Sequence, residues 1–99
     1  MKGVVDFLNV VRSDPRVNTA HISLYVTLCM LWEERNFEQP FSVYSHEVMP
    51  VCKISSSSTF HKTIRELNAF GYIGYEPSFN RFEGSLVLFK RLKEVGDEC

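Results

Sequence analysis

Residues 54–75, ISSSSTFHKTIRELNAFGYIGY, constrain the fold of this chain more than any other stretch. Four consecutive serines and Thr59 come first, and short hydroxyl side chains are natural helix caps. Phe60, Ile64, Leu67, Ala69 and Phe70 then recur at helical spacing, and Gly71 follows as a helix stop. Tyr72, Ile73, Gly74 and Tyr75 switch to an aromatic and β-branched run that reads as a strand. The helix has one apolar stripe. Its opposite face carries Ser57, Ser58, His61, Lys62 and Arg65, with Glu66 as the one acid nearby.

A one-striped helix needs other elements to cover the stripe. Val4, Val5, Phe7, Leu8 and Val11 predict a first short helix, ended by Ser13, Asp14 and Pro15. Asn18 and Thr19 are cap candidates for a second helix running to about Arg35. Ile22, Tyr25, Val26, Cys29 and Trp32 form one stripe of that helix, and Leu24, Leu28 and Leu31 form another. Two adjoining stripes predict a strut buried on most of its circumference, with Trp32, Leu28 and Phe60 buried together. The acids Glu33 and Glu34 stand at its C-terminal end, where the helix dipole favours cations.

Phe41, Ser42 and Val43 suit a short strand. Ser45 is the expected cap of a short helix whose core residues are Val48, Met49 and Cys52; Pro50, costly in a helix interior but tolerated within the first turn, is expected to leave it short, kinked or partly 3₁₀. After the strand at 72–75, residues 76–84 form a loop with Pro77 and Gly84 supplying turn chemistry. Residues 85–91 return as the antiparallel partner, and 95–99 form an acidic, frayed tail. Repeats, low-complexity tracts and linkers are absent, so the 99 residues are expected to make one domain.

The distribution of charge matters more than its total of −1. Residues 53–91 hold six basic residues (Lys53, Lys62, Arg65, Arg81, Lys90, Arg91) against Glu66, Glu76 and Glu83, a balance of +3. The parts before and after that segment each balance to −2. Basic charge therefore gathers on the segment that includes the 54–75 helix.

With its surroundings, the 54–75 stretch resembles the recognition helix and wing of a winged helix-turn-helix DNA-binding domain. Ile54, Ser55 or Ser56, Phe60, Ile64, Leu67 and the Gly71, Tyr72, Ile73 run match that pattern. The serine-rich start and the later Tyr75, Glu76, Pro77, Ser78 look most like small single-domain winged-helix proteins of Bacteroidetes mobile genetic elements. The resemblance spans roughly residues 41–92. It implies an α+β, mainly helical fold: a winged helix with an extra N-terminal helix at 1–13 and a C-terminal β-wing of two or three strands. It also implies sequence-specific binding of double-stranded DNA by a transcriptional regulator. The recognition helix, about 56–70, would lie in the major groove, and the wing, 76–84, on the backbone or minor groove. Ser57, Ser58, His61, Lys62, Arg65, Asn80 and Arg81 are the expected DNA contacts. Apolar surface left on the first helix is expected to make a homodimer, because two half-sites are the usual route to useful affinity.

Other chemistry finds less support. His21, His46 and His61 fall in different predicted elements without an acid or cysteine at metal spacing, so neither a metal nor a cofactor is expected. The serine run lacks the glycine framing of a nucleophile elbow or a phosphate loop. The chain is expected not to be an enzyme. Its three cysteines form no C-x-x-C pair; Cys29 and Cys52 fall on apolar stripes and read as core thiols of a reduced, cytoplasmic protein. No apolar run is long enough to span a membrane, and Asp6 and Asn9 interrupt the N-terminal apolar stretch. Two other readings stand beside DNA-binding regulation: a protein-interaction module docking through the first helix, and an accessory factor in replication or excision of a mobile element.

Overall fold

The computed structural model describes residues 2–77 and 84–90. Its elements run α1 (Lys2–Val11), α2 (Thr19–Glu34), β1 (Phe41–Val43), α3 (Ser45–Cys52), α4 (Ser57–Ala69), β2 (Ile73–Glu76) and β3 (Ser85–Phe89). This is an α+β fold with a small antiparallel sheet in the order β1-β3-β2. β3 is the central strand, pairing Phe41 with Val87 on one side and Tyr75 with Val87 on the other.

α2 is the strut of the core. Leu24 and Leu28 are fully buried, and His21, Tyr25, Thr27, Cys29 and Leu31 nearly so. Asn18 caps it, its Oδ1 accepting from the Ala20 and His21 amides at 2.9 and 3.3 Å. At the other end Asn36 takes a left-handed conformation, φ 59°, and the Phe37 amide reaches back to the Trp32 carbonyl at 2.9 Å. The Trp32 and Phe37 rings meet edge to face at 5.1 Å, the apolar contact that accompanies this type of helix end. The acids near this end are offset locally. Arg35 turns one guanidinium nitrogen toward the Leu31 carbonyl at 3.4 Å and another toward Glu47 of α3 at 3.2 Å.

Several expectations need correction. Trp32 is half-buried, and its ring contacts are Phe37 and Phe89, whereas Leu28 and Phe60 are buried. Tyr44, in extended backbone continuing from β1, holds the N-cap position of α3, and Ser45 is already helical. Pro50 lies beyond the first turn of α3, so the His46 carbonyl loses its helical donor. The helix is nonetheless α-helical to Cys52. Val48 and Cys52 are buried, Met49 half-buried, and Ser23 of α2 donates to the Cys52 carbonyl at 2.6 Å. Tyr72 stands before β2 rather than in it, and β3 ends at Phe89.

α1 packs on its own domain through Phe7, which is fully buried and stacks flat on Tyr25. Val4, Val10 and Val11 lie against the same core, while Val5 and Leu8 remain 55% and 39% exposed. The α1–α2 loop is fastened separately. Asp14 accepts from the Arg16 guanidinium at 2.9 Å and from the Tyr72 hydroxyl at 2.5 Å, and Arg16 lies over the Phe70 ring at 4.2 Å. Cys29 and Cys52 are free, buried thiols, and burial pushes the Cys29 thiol up to about 12, so it stays protonated and unreactive. No helix among the described residues is long and apolar enough to cross a membrane.

Candidate nucleic-acid interface

α4 begins inside the serine run, at Ser57. Ser56 is in extended backbone, φ −96° and ψ 126°, and its Oγ accepts from the Thr59 amide at 3.4 Å. Phe60, Ile64 and Leu67 are buried, and Thr63 joins them by returning its hydroxyl to the Thr59 carbonyl at 2.7 Å. The helix ends as Gly71 suggests. With φ 92° it directs its amide to the Asn68 carbonyl at 3.1 Å, and the Tyr72 amide bonds the Leu67 carbonyl at 3.0 Å. Such a paired C-terminal closure needs a residue tolerant of positive φ at this position.

Seating Phe60, Ile64 and Leu67 inward sends the predicted face outward. Ser57, Ser58, Lys62 and Arg65 are exposed, and His61 is half-buried. His61 Nδ1 lies 2.9 Å from the Ser57 carbonyl oxygen, which can only accept, so Nδ1 carries a proton and donates. Nε2 then remains for an outside partner. Ser56 and Ser58 share a hydroxyl bond at 3.0 Å. Neither Lys62 nor Arg65 makes an ion pair among the described residues. Five of the seven expected contact residues thus share one helical face. Asn80 and Arg81 lie outside the described residues, as do Phe79, Phe82, Arg91 and the 95–99 tail.

The one acid of α4 is not on that face in the ordinary way. Glu66 Oε1 sits 2.8 Å from Nε2 of His21, whose side chain is 2% exposed. The other ring nitrogen, Nδ1, accepts from the Asn18 amide at 3.0 Å, completing the cap of α2. One nitrogen accepts, so Nε2 is the donor to the carboxylate. This arrangement joins His21 to an acid across 45 residues of sequence. Its local half was visible as Asn18 and His21 at capping-box spacing, but nothing in the sequence joins His21 to Glu66.

A groove of about 520 Å³ adjoins the start of α4, lined by His46, Met49, Pro50, Lys53, Ile54 and Ser55. Among the described residues its lining holds no acid, and Lys53 lines it in a left-handed conformation, φ 65°. Sequence reasoning counted Lys53 as charge but did not place it here. Among the described residues no cluster of three histidine, cysteine or acidic side chains could hold a metal ion. No protein-family model, curated protein or solved structure matches the chain.

Proposed function

We propose that this protein is a winged helix-turn-helix regulator that binds double-stranded DNA through the outward face of α4. The observation that carries the reading is that face itself. Hydroxyls of Ser57 and Ser58, the His61 imidazole and the cations Lys62 and Arg65, which make no ion pair among the described residues, stand together on a helix fixed from behind by Phe60, Ile64 and Leu67. Short polar side chains near the N-terminus of such a helix can approach base edges, and the cations behind them reach phosphate or guanine. The element order supports the winged-helix reading. A helix, a short strand, two helices joined through residues 53–56, and two antiparallel strands follow in turn, with the last strand also pairing the first. The loop between β2 and β3, with Asn80 and Arg81, is the proposed wing.

Two copies acting together would present two recognition helices, and Val5 and Leu8 on α1 offer apolar surface for that contact. Anisotropy of a labelled duplex at low salt tests the reading. Lys62→Ala and Arg65→Ala should each weaken binding while shifting stability by less than about 0.5 kcal/mol, as exposed substitutions do. Unchanged affinity in both would detach this face from DNA.

A further inference from the structure

Glu66 follows Lys62 by four positions on α4, the spacing at which a lysine and a glutamate meet across one helical turn. In the structure they do not pair. The carboxylate is taken by the buried His21 ring at 2.8 Å, and Lys62 makes no ion pair among the described residues. His21 is in turn held by its own neighbours. Its Nδ1 is occupied by the Asn18 amide, and its ring lies 5.4 Å from that of Phe70. The imidazole therefore presents a fixed N–H at Nε2, and among the described residues its acceptor is Glu66.

From this we infer that His21 is a positioning residue for duplex binding. By holding the only acid of α4 away from Lys62, it leaves the Lys62 ammonium open to phosphate and sets how many phosphates the helix can neutralise. The inference rests on the DNA-binding reading above. Its physical content is positional: the neutral His21 ring leaves the Glu66 carboxylate charged but ties it down at Nε2, and once released the carboxylate can swing to Lys62, four residues back, and compete with phosphate. Each phosphate contact contributes about 0.9 to the slope of log affinity against log salt, so the effect is visible in the slope as well as in affinity.

The test compares wild type, His21→Leu, Glu66→Gln, His21→Leu/Glu66→Gln and Lys62→Met on a labelled mixed-sequence duplex across a salt series. Circular dichroism checks that each variant is folded. His21→Leu should bind roughly tenfold more weakly at low salt and lose up to about 0.9 of the slope, the weight of one phosphate contact. Glu66→Gln in the same chain should restore both, which a merely structural role for His21 does not predict. Glu66→Gln alone should match wild type. A folded His21→Leu protein with an unchanged slope, or a double variant no better than His21→Leu, overturns the inference. If His21→Leu does not fold, Glu66→Gln decides with and without Lys62→Met. No effect in either background is expected, whereas tighter binding only when Lys62 is present means that Glu66 already masks it and overturns the inference. A wild type that binds no duplex removes the DNA reading and this inference together. A wild type that binds, is weakened by Lys62→Met and is indifferent to His21→Leu removes the inference alone.

Discussion

Phe7 and Tyr25 lie face to face, ring centroids 3.8 Å apart and planes within 5° of parallel, and Tyr72 meets the same Phe7 ring edge-on at 5.3 Å. α1 is thereby joined to the helix at the centre of the core and to the turn between α4 and β2. It is part of the domain's packing as well as a source of exposed surface.

Phe7→Ala should therefore cost about 3–5 kcal/mol, the range for truncating a buried aromatic. A domain of this size has only about 5–15 kcal/mol in total, so chemical denaturation should show a large loss. A variant that melts like the parent would mean that α1 is not docked. Val5→Ser and Leu8→Ser should barely change the midpoint of a monomer but should dissociate a dimer in analytical ultracentrifugation. A wild type that sediments as a monomer at micromolar concentration removes the dimer from the proposal.

The Asp14 cluster gives a pH dependence. Hydrogen bonds from Arg16, then Tyr72, hold the Asp14 carboxyl well below the usual carboxylate range. A depressed folded value stabilises the protein above the unfolded value, about 3.9, and that contribution is lost as pH falls through the folded value. Asp14→Asn should thus lower the thermal midpoint at pH 7, and the gap to wild type should narrow steadily below about pH 4. A gap constant with pH would contradict the assignment. Burial and Asp14 push Tyr72 up to about 12, so its share should fade only on the alkaline side, above its ordinary value near 10.

Two left-handed positions should respond with opposite signs. A Cβ at Gly84, φ 70°, would lie 2.9 Å from the Val43 carbonyl oxygen and 3.0 Å from the Tyr44 ring. Gly84→Ala should cost about 1–3 kcal/mol. Lys53 pays the left-handed penalty already at φ 65°, and Lys53→Gly should gain about 0.5–1 kcal/mol. Urea melts of the two variants check both signs.

Much of this was legible because α4 announces itself locally. A serine cap, a single stripe and a glycine with positive φ lie within one continuous stretch, and each acts on its immediate neighbours. The N-cap of α2 and the strand at Phe41–Val43 were readable for the same reason. What escaped depends on distance. His21 falls on the face of α2 that Leu24, Leu28 and Leu31 make apolar, and its acid partner comes from another helix. Trp32 was grouped with Phe60 by periodicity, but the helix end at Asn36 and Phe37 brings Phe37 against its ring instead. Pro50 was misread because the start of α3 lacks a side-chain cap, leaving no local mark of where the first turn begins.

A substitution in the α4 stripe checks the register on which the outward face depends. Phe60 is 3% exposed, and Phe60→Ala should cost about 3–5 kcal/mol. Lys62→Ala beside it should leave the denaturation midpoint close to wild type. The reverse pattern would rotate the helix and move the proposed DNA-binding face.

The central claim is tested most directly by selecting bound sequences from a random duplex library at low salt with the wild-type chain. The account predicts retention of duplex, enrichment of a short motif, and loss of that enrichment when Lys62 and Arg65 are both replaced by alanine. Duplex retention no greater than in a protein-free control would contradict it.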